Sequence, residues 1–203
     1  MRLFVAVDLD ERARDEVGRL IRHLRSEARD EPSLRVSWVP PEQLHLTLHF
    51  LGNVDDAAVA GLADRIAQPV ELPAFTLRLG NGGSFATRGR PHVIWLGVSE
   101  GSPPLIELHR VIGRRLRAVG CELEKRPYSP HLTLARIRQL TGTVPQNRRR
   151  RAKGGLSPVQ VPVQGGLSPM LVDRVTLYES QLGRGGATHI AHATGLLDRS
   201  QSL

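Results

Sequence analysis

One tetrapeptide, His-Leu-Thr-Leu, occurs at residues 45–48 and again at 131–134, 86 residues apart. Each copy lies in a run that alternates like a half-buried strand. In LHLTLHFL, at residues 44–51, strand period sets Leu44, Leu46 and Leu48 on one face and His45, Thr47 and His49 on the other. In PHLTLAR the same parity turns Leu132 and Leu134 inward, with His131, Thr133 and Ala135 opposite. A strand whose polar face merely met water would show Lys, Glu, Thr or Ser more often than the same His-x-Thr in both halves of a chain. The repeat therefore predicts two lobes related by an approximate two-fold axis, each bringing an imidazole and a hydroxyl to one shared space. The longer repeat GGLSP, at 154–158 and 165–169, has no such alternation and reads as loop.

The flanking pattern supplies the lobes. Residues 2–9 (RLFVAVDL) read as a buried strand, followed at once by a helix that Asp10 can cap and that buries Val17, Leu20, Ile21 and Leu24. Residues 34–39 and 44–51 are strands joined through Pro40 and Pro41, and a second helix spans about 56–67 with Val59, Leu62, Ala63 and Ile66 as its stripe. The rhythm then repeats: a strand at 75–79, a glycine turn at 81–83, a strand at 91–98, and a helix opened by Pro103 and Pro104. That helix carries Leu105, Leu108, Ile112, Leu116 and Val119, with Gly120 just past its end. Further strands are expected near 122–126, at 131–137, at 159–163 and at 173–180. The fold class is α+β: two pseudo-symmetric lobes, each a small, mainly antiparallel sheet with helices on its outer face, enclosing a central groove. The domain runs over residues 1–198 with a basic flexible loop at about 138–169, and 199–203 form a frayed tail.

Composition narrows the function classes. No window approaches the roughly 18 apolar residues of a membrane span, and the N-terminal segment lacks the pattern of a signal peptide, so a soluble, unprocessed, cytoplasmic protein is expected. Cys121 is the single cysteine, which excludes an internal disulfide and a cysteine-rich zinc site. A net charge of +8 favours a polyanionic partner.

Two imidazoles and two threonine hydroxyls converging on one space suit a phosphate. Neutral histidine takes a proton, its cation gives one, and both operate near neutral pH. Threonine hydroxyls donate to non-bridging phosphoryl oxygens, and no metal is required. Two other readings rest on different residues. An RNA-binding module without catalysis would depend on Arg148–Arg151 and Lys153, and a histidine metal site would need carboxylates that neither motif offers. His23, His92, His109, His189 and His192 have no matching partner in the sequence and read as structural or exposed. Trp38, Phe50, Phe85 and Tyr178 could stack a base, but core packing is the simpler reading.

The chain resembles the 2H phosphoesterases, and among them the bacterial and archaeal RNA 2′,3′-cyclic phosphodiesterases, historically called 2′-5′ RNA ligases. The likeness is carried by RLFVAVDL, WVPPEQLHLTLHFLG, RPHVIWLGV, YSPHLTLAR and VTLYESQLGRGGATH. It implies hydrolysis of a terminal 2′,3′-cyclic phosphate on RNA to a 2′-phosphate, without metal or other cofactor, and in reverse a 2′-5′ ligation. It also implies His45 as proton donor, His131 as proton acceptor, and Thr47 and Thr133 as holders of phosphate oxygens. Small cyclic nucleotides or 2′-5′ oligonucleotides are the alternative substrates. The partner would be RNA ending in a cyclic phosphate, tRNA fragments included, met by a monomer away from any membrane. Arg136 matches a phosphate-contacting position of the family, yet ideal parity puts it on the side of Leu134, so it can serve only if the strand bends there. The Arg-rich segment with its GGLSP duplication departs from the family's compact connection at that point.

Overall fold

The computed structural model describes residues 1–27, 34–87, 90–139, 160–163, 166–183 and 186–199. Strand β1 (Arg2–Asp8) leads into helix α1 (Glu11–Glu27), where the Asp10 carboxylate accepts the Ala13 N–H at 2.7 Å, a cap of about 1 kcal/mol. Then follow β2 (Leu34–Trp38), a 3₁₀ turn (Pro41–Gln43), β3 (His45–Asn53), α2 (Asp56–Ala67), β4 (Val70–Pro73), β5 (Phe75–Thr87), β6 (Arg90–Glu100), α3 (Ser102–Arg117), β7 (His131–Gln139), β8 (Met170–Val172), β9 (Arg174–Gly183) and β10 (Gly186–Asp198). α3 ends as its sequence predicts: Gly120 has φ +83°, and the N–H groups of Gly120 and Cys121 close back onto the carbonyls of Arg117 and Leu116.

The strands order as β4-β10-β9-β1-β3-β7-β6-β5-β8, with β2 beside β7. The α+β architecture holds, and the sheets of the two lobes are one: β3 meets β7 through the pair Leu46–Leu132, which removes an edge from each half. Beyond that pair the strands part, and β2 takes the place beside the far end of β7, from Ala135 to Gln139. The three helices cover the leucine face. Leu46, Leu132 and Leu134 are fully buried there with Leu105, Leu108, Ile112 and Leu116 of α3, each such leucine contributing about 1.5–3 kcal/mol. Val119, expected in the α3 stripe, lies past the helix end and is exposed.

Several sequence expectations need correction. No strand forms at 122–126: Cys121 and Leu123 lean on the core, but β3, β2 and β6 already take the edges of β7 and leave that backbone no partner. Asn81–Gly83 is not a turn but the middle of β5. Gly82 is needed because a Cβ there would lie 1.8 Å from the Trp95 carbonyl oxygen. The strand expected at 159–163 reduces, among its described residues, to a bridge of Val161 with Gly82. β4, β8 and β10 were not anticipated. The segment read as a loop from 138 is anchored at both ends. β7 runs to Gln139; Val161 and Leu167 are buried, and Ser168 donates its N–H and hydroxyl to Glu16 of α1 at 2.7 and 2.6 Å. Arg148–Arg151, Lys153 and the first GGLSP copy lie outside the described residues, as does 200–203 of the tail, whereas Arg199 pairs with Asp173.

Candidate active site

Pairing of Leu46 with Leu132 on antiparallel strands sets a local two-fold axis through that pair. His45 and Thr47 of β3 and His131 and Thr133 of β7 flank it on the face opposite the helices. The two histidines are held alike. Nδ1–H of His45 donates to the Gln43 carbonyl at 2.8 Å, and Nδ1–H of His131 donates to the Ser129 carbonyl at 2.7 Å. A carbonyl can only accept, so each bond fixes the neutral tautomer and leaves Nε2 as the nitrogen that gives or takes a proton. Gln43 ends the 3₁₀ turn that Pro40 and Pro41 initiate, and Ser129 precedes Pro130.

A β-bulge follows each motif at the same place. Ala6 faces Thr47 while Val5 faces His49, so Leu48 is the extra residue in β3; Trp95 faces Thr133 while Ile94 faces Ala135, so Leu134 is the extra residue in β7. Parity inverts beyond both. His49 (6% exposed) and Ala135 (0%) turn to the helix side, whereas Phe50 (55%) and Arg136 turn to the histidine side. The bend that Arg136 required is thus present, and the guanidinium lies near enough to His45 to oppose its protonation. The expected alignment of His49 with His45 and Thr47 is lost: its Nε2 bonds the His109 carbonyl of α3 at 2.8 Å.

The surroundings of the two histidines differ. His45 pairs with Asp8 of β1 across the ladder, whereas His131 pairs with Gly97 of β6. The Asp8 carboxylate accepts the Thr176 hydroxyl at 2.9 Å and the Tyr178 hydroxyl at 2.8 Å. The ring of Phe4 lies 4.8 Å from that of His45 and 5.4 Å from that of Tyr178, and His189 of β10 meets His45 edge-on at 5.1 Å. On the other side Phe85 stands edge-on to His131 at 4.9 Å and stacks on Trp95. Phe50, Phe85 and Tyr178 therefore belong to this face rather than to the core, and Trp38 packs against the core. Neither Asp8 nor Phe4 stands out in the sequence as a site residue, and His189, expected to be structural or exposed, instead meets His45. Asp8 and Phe4 were legible only as alternate positions of β1, and His189 lies on a strand that was not foreseen. Burial holds His45 down at about 4; His189 and Arg136 add to this, while the Gln43 carbonyl and Asp8 pull the other way. Unliganded His45 is neutral at pH 7.

The family model for the 2′-5′ RNA ligase superfamily matches residues 12–183. An RNA 2′,3′-cyclic phosphodiesterase of Methanothermobacter thermautotrophicus is 32% identical over 189 residues, 92% of this chain and 93% of that one. The Escherichia coli protein of the same name is 34% identical over 147 residues, 71% and 76% of the two chains. Among solved structures, that of E. coli LigT complexed with 3′-AMP superposes with a TM-score of 0.70 at 30% identity, covering 97% of both chains. A structure described as a phosphoesterase gives 0.71 at 29% identity, covering 98% of both chains. With matched histidine motifs on two-fold-related strands and a family match over most of its length, the chain belongs to the 2′-5′ RNA ligase superfamily.

Proposed function

We propose that this protein hydrolyses the 2′,3′-cyclic phosphate at the end of an RNA to a 2′-phosphate and a free 3′-hydroxyl, with His45 as proton donor and His131 as proton acceptor. The observation that carries the reading is the paired presentation of two Nε2 atoms from two-fold-related strands, each tautomer set by a backbone carbonyl two residues upstream. Nε2 of His131 takes a proton from water as its oxygen attacks phosphorus. The P–O3′ bond breaks, and the leaving 3′-oxygen takes the proton from Nε2–H of His45. Thr47 and Thr133 donate to the non-bridging oxygens, and Arg136 supplies a fixed positive charge for the one that accumulates charge in the transition state. The difference between Asp8 and Gly97 favours this assignment of roles, because the ladder partner of His45 carries a carboxylate that stabilises an imidazolium and the ladder partner of His131 carries no side chain.

An RNA 5′-hydroxyl in place of water gives its proton to His131 as it attacks phosphorus, the 3′-oxygen leaves with the proton of His45 as before, and a 2′-5′ linkage forms. The chemistry needs neither metal nor nucleotide cofactor. RNAs that end in a cyclic phosphate, tRNA fragments among them, are the substrates, and a monomer suffices because one chain supplies both motifs. No helix among the described residues is long and apolar enough to cross a membrane. Kinetics of His45→Ala and His131→Ala on such an RNA test the reading. Each loses about 10²–10⁴-fold in kcat while remaining folded; turnover within threefold of the parent in either would overturn it.

A further inference from the structure

On the helix side of the sheet, three rings, from a strand, a helix and the stretch that joins that helix to β7, form a column. His49, just past the β3 bulge, stacks on His109 of α3 with centroids 4.1 Å apart and planes 21° apart. His109 stacks on Tyr128 at 4.1 Å, with planes within 4° of parallel. Nε2 of His49 bonds the His109 carbonyl, and Gly113, one turn along α3, leaves room for that ring, since a Cβ there would lie 3.1 Å from its Cε1 and Nε2. The rings are neutral at pH 7. Burial, then His49 and the Arg117 and Arg110 guanidiniums, hold His109 down at about 4, and burial lowers His49 as well.

Nothing in the proposed chemistry uses this column, yet its last ring belongs to the residue before Ser129, whose carbonyl sets the tautomer of His131. The opposite histidine has another support. The acceptor of His45 is Gln43, held by the Pro40–Pro41 turn that lies against Gly18 of α1. The stretch 118–130 that leads to His131 forms neither helix nor strand; the closure at Gly120 and Cys121 and the packing of Leu123 on the core hold its first half, and the stacked ring of Tyr128 fastens the end next to His131. The Tyr128 hydroxyl is buried without a hydrogen-bond partner among the described residues, so it is the ring and not the hydroxyl that holds the residue in place.

We propose that the His49–His109–Tyr128 column is a positioning device for His131: by fixing Tyr128 it fixes the Ser129 carbonyl, and so the orientation and tautomer of one of the two histidines. The role in turnover rests on the function proposed above. It predicts that damage to the column is felt at His131 and not at His45.

The test compares Tyr128→Ala and His109→Ala with the ring-keeping Tyr128→Phe and His109→Phe, reading imidazole nitrogen shifts by ¹⁵N NMR and steady-state kinetics on RNA with a cyclic phosphate end. Loss of the ring mixes the His131 tautomers and lowers kcat by about 10- to 100-fold, as sub-ångström to ångström misplacement does, with KM little changed. The phenylalanine variants restore both readouts, and the His45 signals stay as in the parent throughout. Should Tyr128→Ala fail to fold, His109→Leu, which keeps bulk and removes the flat ring, carries the same prediction. Folded alanine or leucine variants with an unchanged His131 tautomer and kcat within twofold overturn the proposal. So does an equal disturbance of His45. His131→Ala, run beside them, separates the two claims: if it still turns over, the proposed function falls, while the tautomer measurement continues to judge the column.

Discussion

In the unliganded protein, His45 is held at about 4, yet it is assigned the part of proton donor. At pH 7 only on the order of 0.1% of the free protein would carry that proton, so the substrate must bring the change with it. The energy is available. A phosphodiester anion about 4 Å from the imidazolium, at the effective dielectric of roughly 20 found near protein surfaces, contributes about 4 kcal/mol, equivalent to about three pH units. That suffices to return His45 to its ordinary range. Binding should therefore take up close to one proton at pH 6 and about half a proton at pH 7. His131→Ala is the protein to use, because it holds uncleaved RNA, the other motif imidazole is gone, and a cyclic phosphodiester does not itself titrate near neutrality. Calorimetric binding heats in two buffers of different ionisation enthalpy give the proton count, and the variant that also carries His45→Ala should take up none. Binding without proton uptake at either pH would refute the reasoning. It would leave His45 a neutral acceptor and move the donor's part to His131.

Arg136→Ala should cost about 10- to 100-fold in kcat/KM, the worth of one charge-assisted hydrogen bond, while Arg19→Ala, an exposed residue of α1, serves as a control; equal effects in both would mean only net charge was felt. Tyr128→Phe removes a buried hydroxyl without a partner among the described residues and keeps its ring, so stability should rise by about 1 kcal/mol and Tm by about 2–4 °C, read by calorimetry. Stability should also depend on mild acid. The folded-state value of His45 lies below its unfolded value of about 6.5, so the unfolded chain binds the proton first, and stability declines as pH falls from about 6.5 to 4 by up to about 3 kcal/mol from this residue. Urea unfolding at pH 7 and 4.5 measures that slope; His45→Asn should reduce it by the share of this residue, and His109, also held at about 4, keeps the remainder.

The architecture was legible where periodicity was clean. HLTL alternation, the caps at Asp10 and Gly120, and the stripes of all three helices led to the sheet-and-helix frame without appeal to tertiary contacts. Failures came where one residue breaks the count. Strict period two continues past Leu48 and Leu134, so it turned His49 toward the substrate side and Arg136 away from it, and a bulge at each leucine reverses both. No local residue announces a bulge there, since leucine fits either parity. β10 was invisible for another reason. Its sequence, GATHIAHATGLLD, mixes glycine, alanine and histidine, and its strand character comes from pairing with β9 rather than from side-chain propensity. With it went His189 and one wall of the site. Gly82 shows the converse: glycines that spell a turn can instead mark a strand that another backbone approaches closely.

The product of the reaction is the most direct test of the two-histidine mechanism. Purified protein in excess EDTA, incubated with a short RNA ending in a 2′,3′-cyclic phosphate, should give a 2′-phosphate resolved by phosphorus NMR, and none with His45→Ala or His131→Ala. A 3′-phosphate would reverse the leaving group assigned to His45. RNA bound at low salt but left uncleaved would contradict the two-histidine mechanism outright.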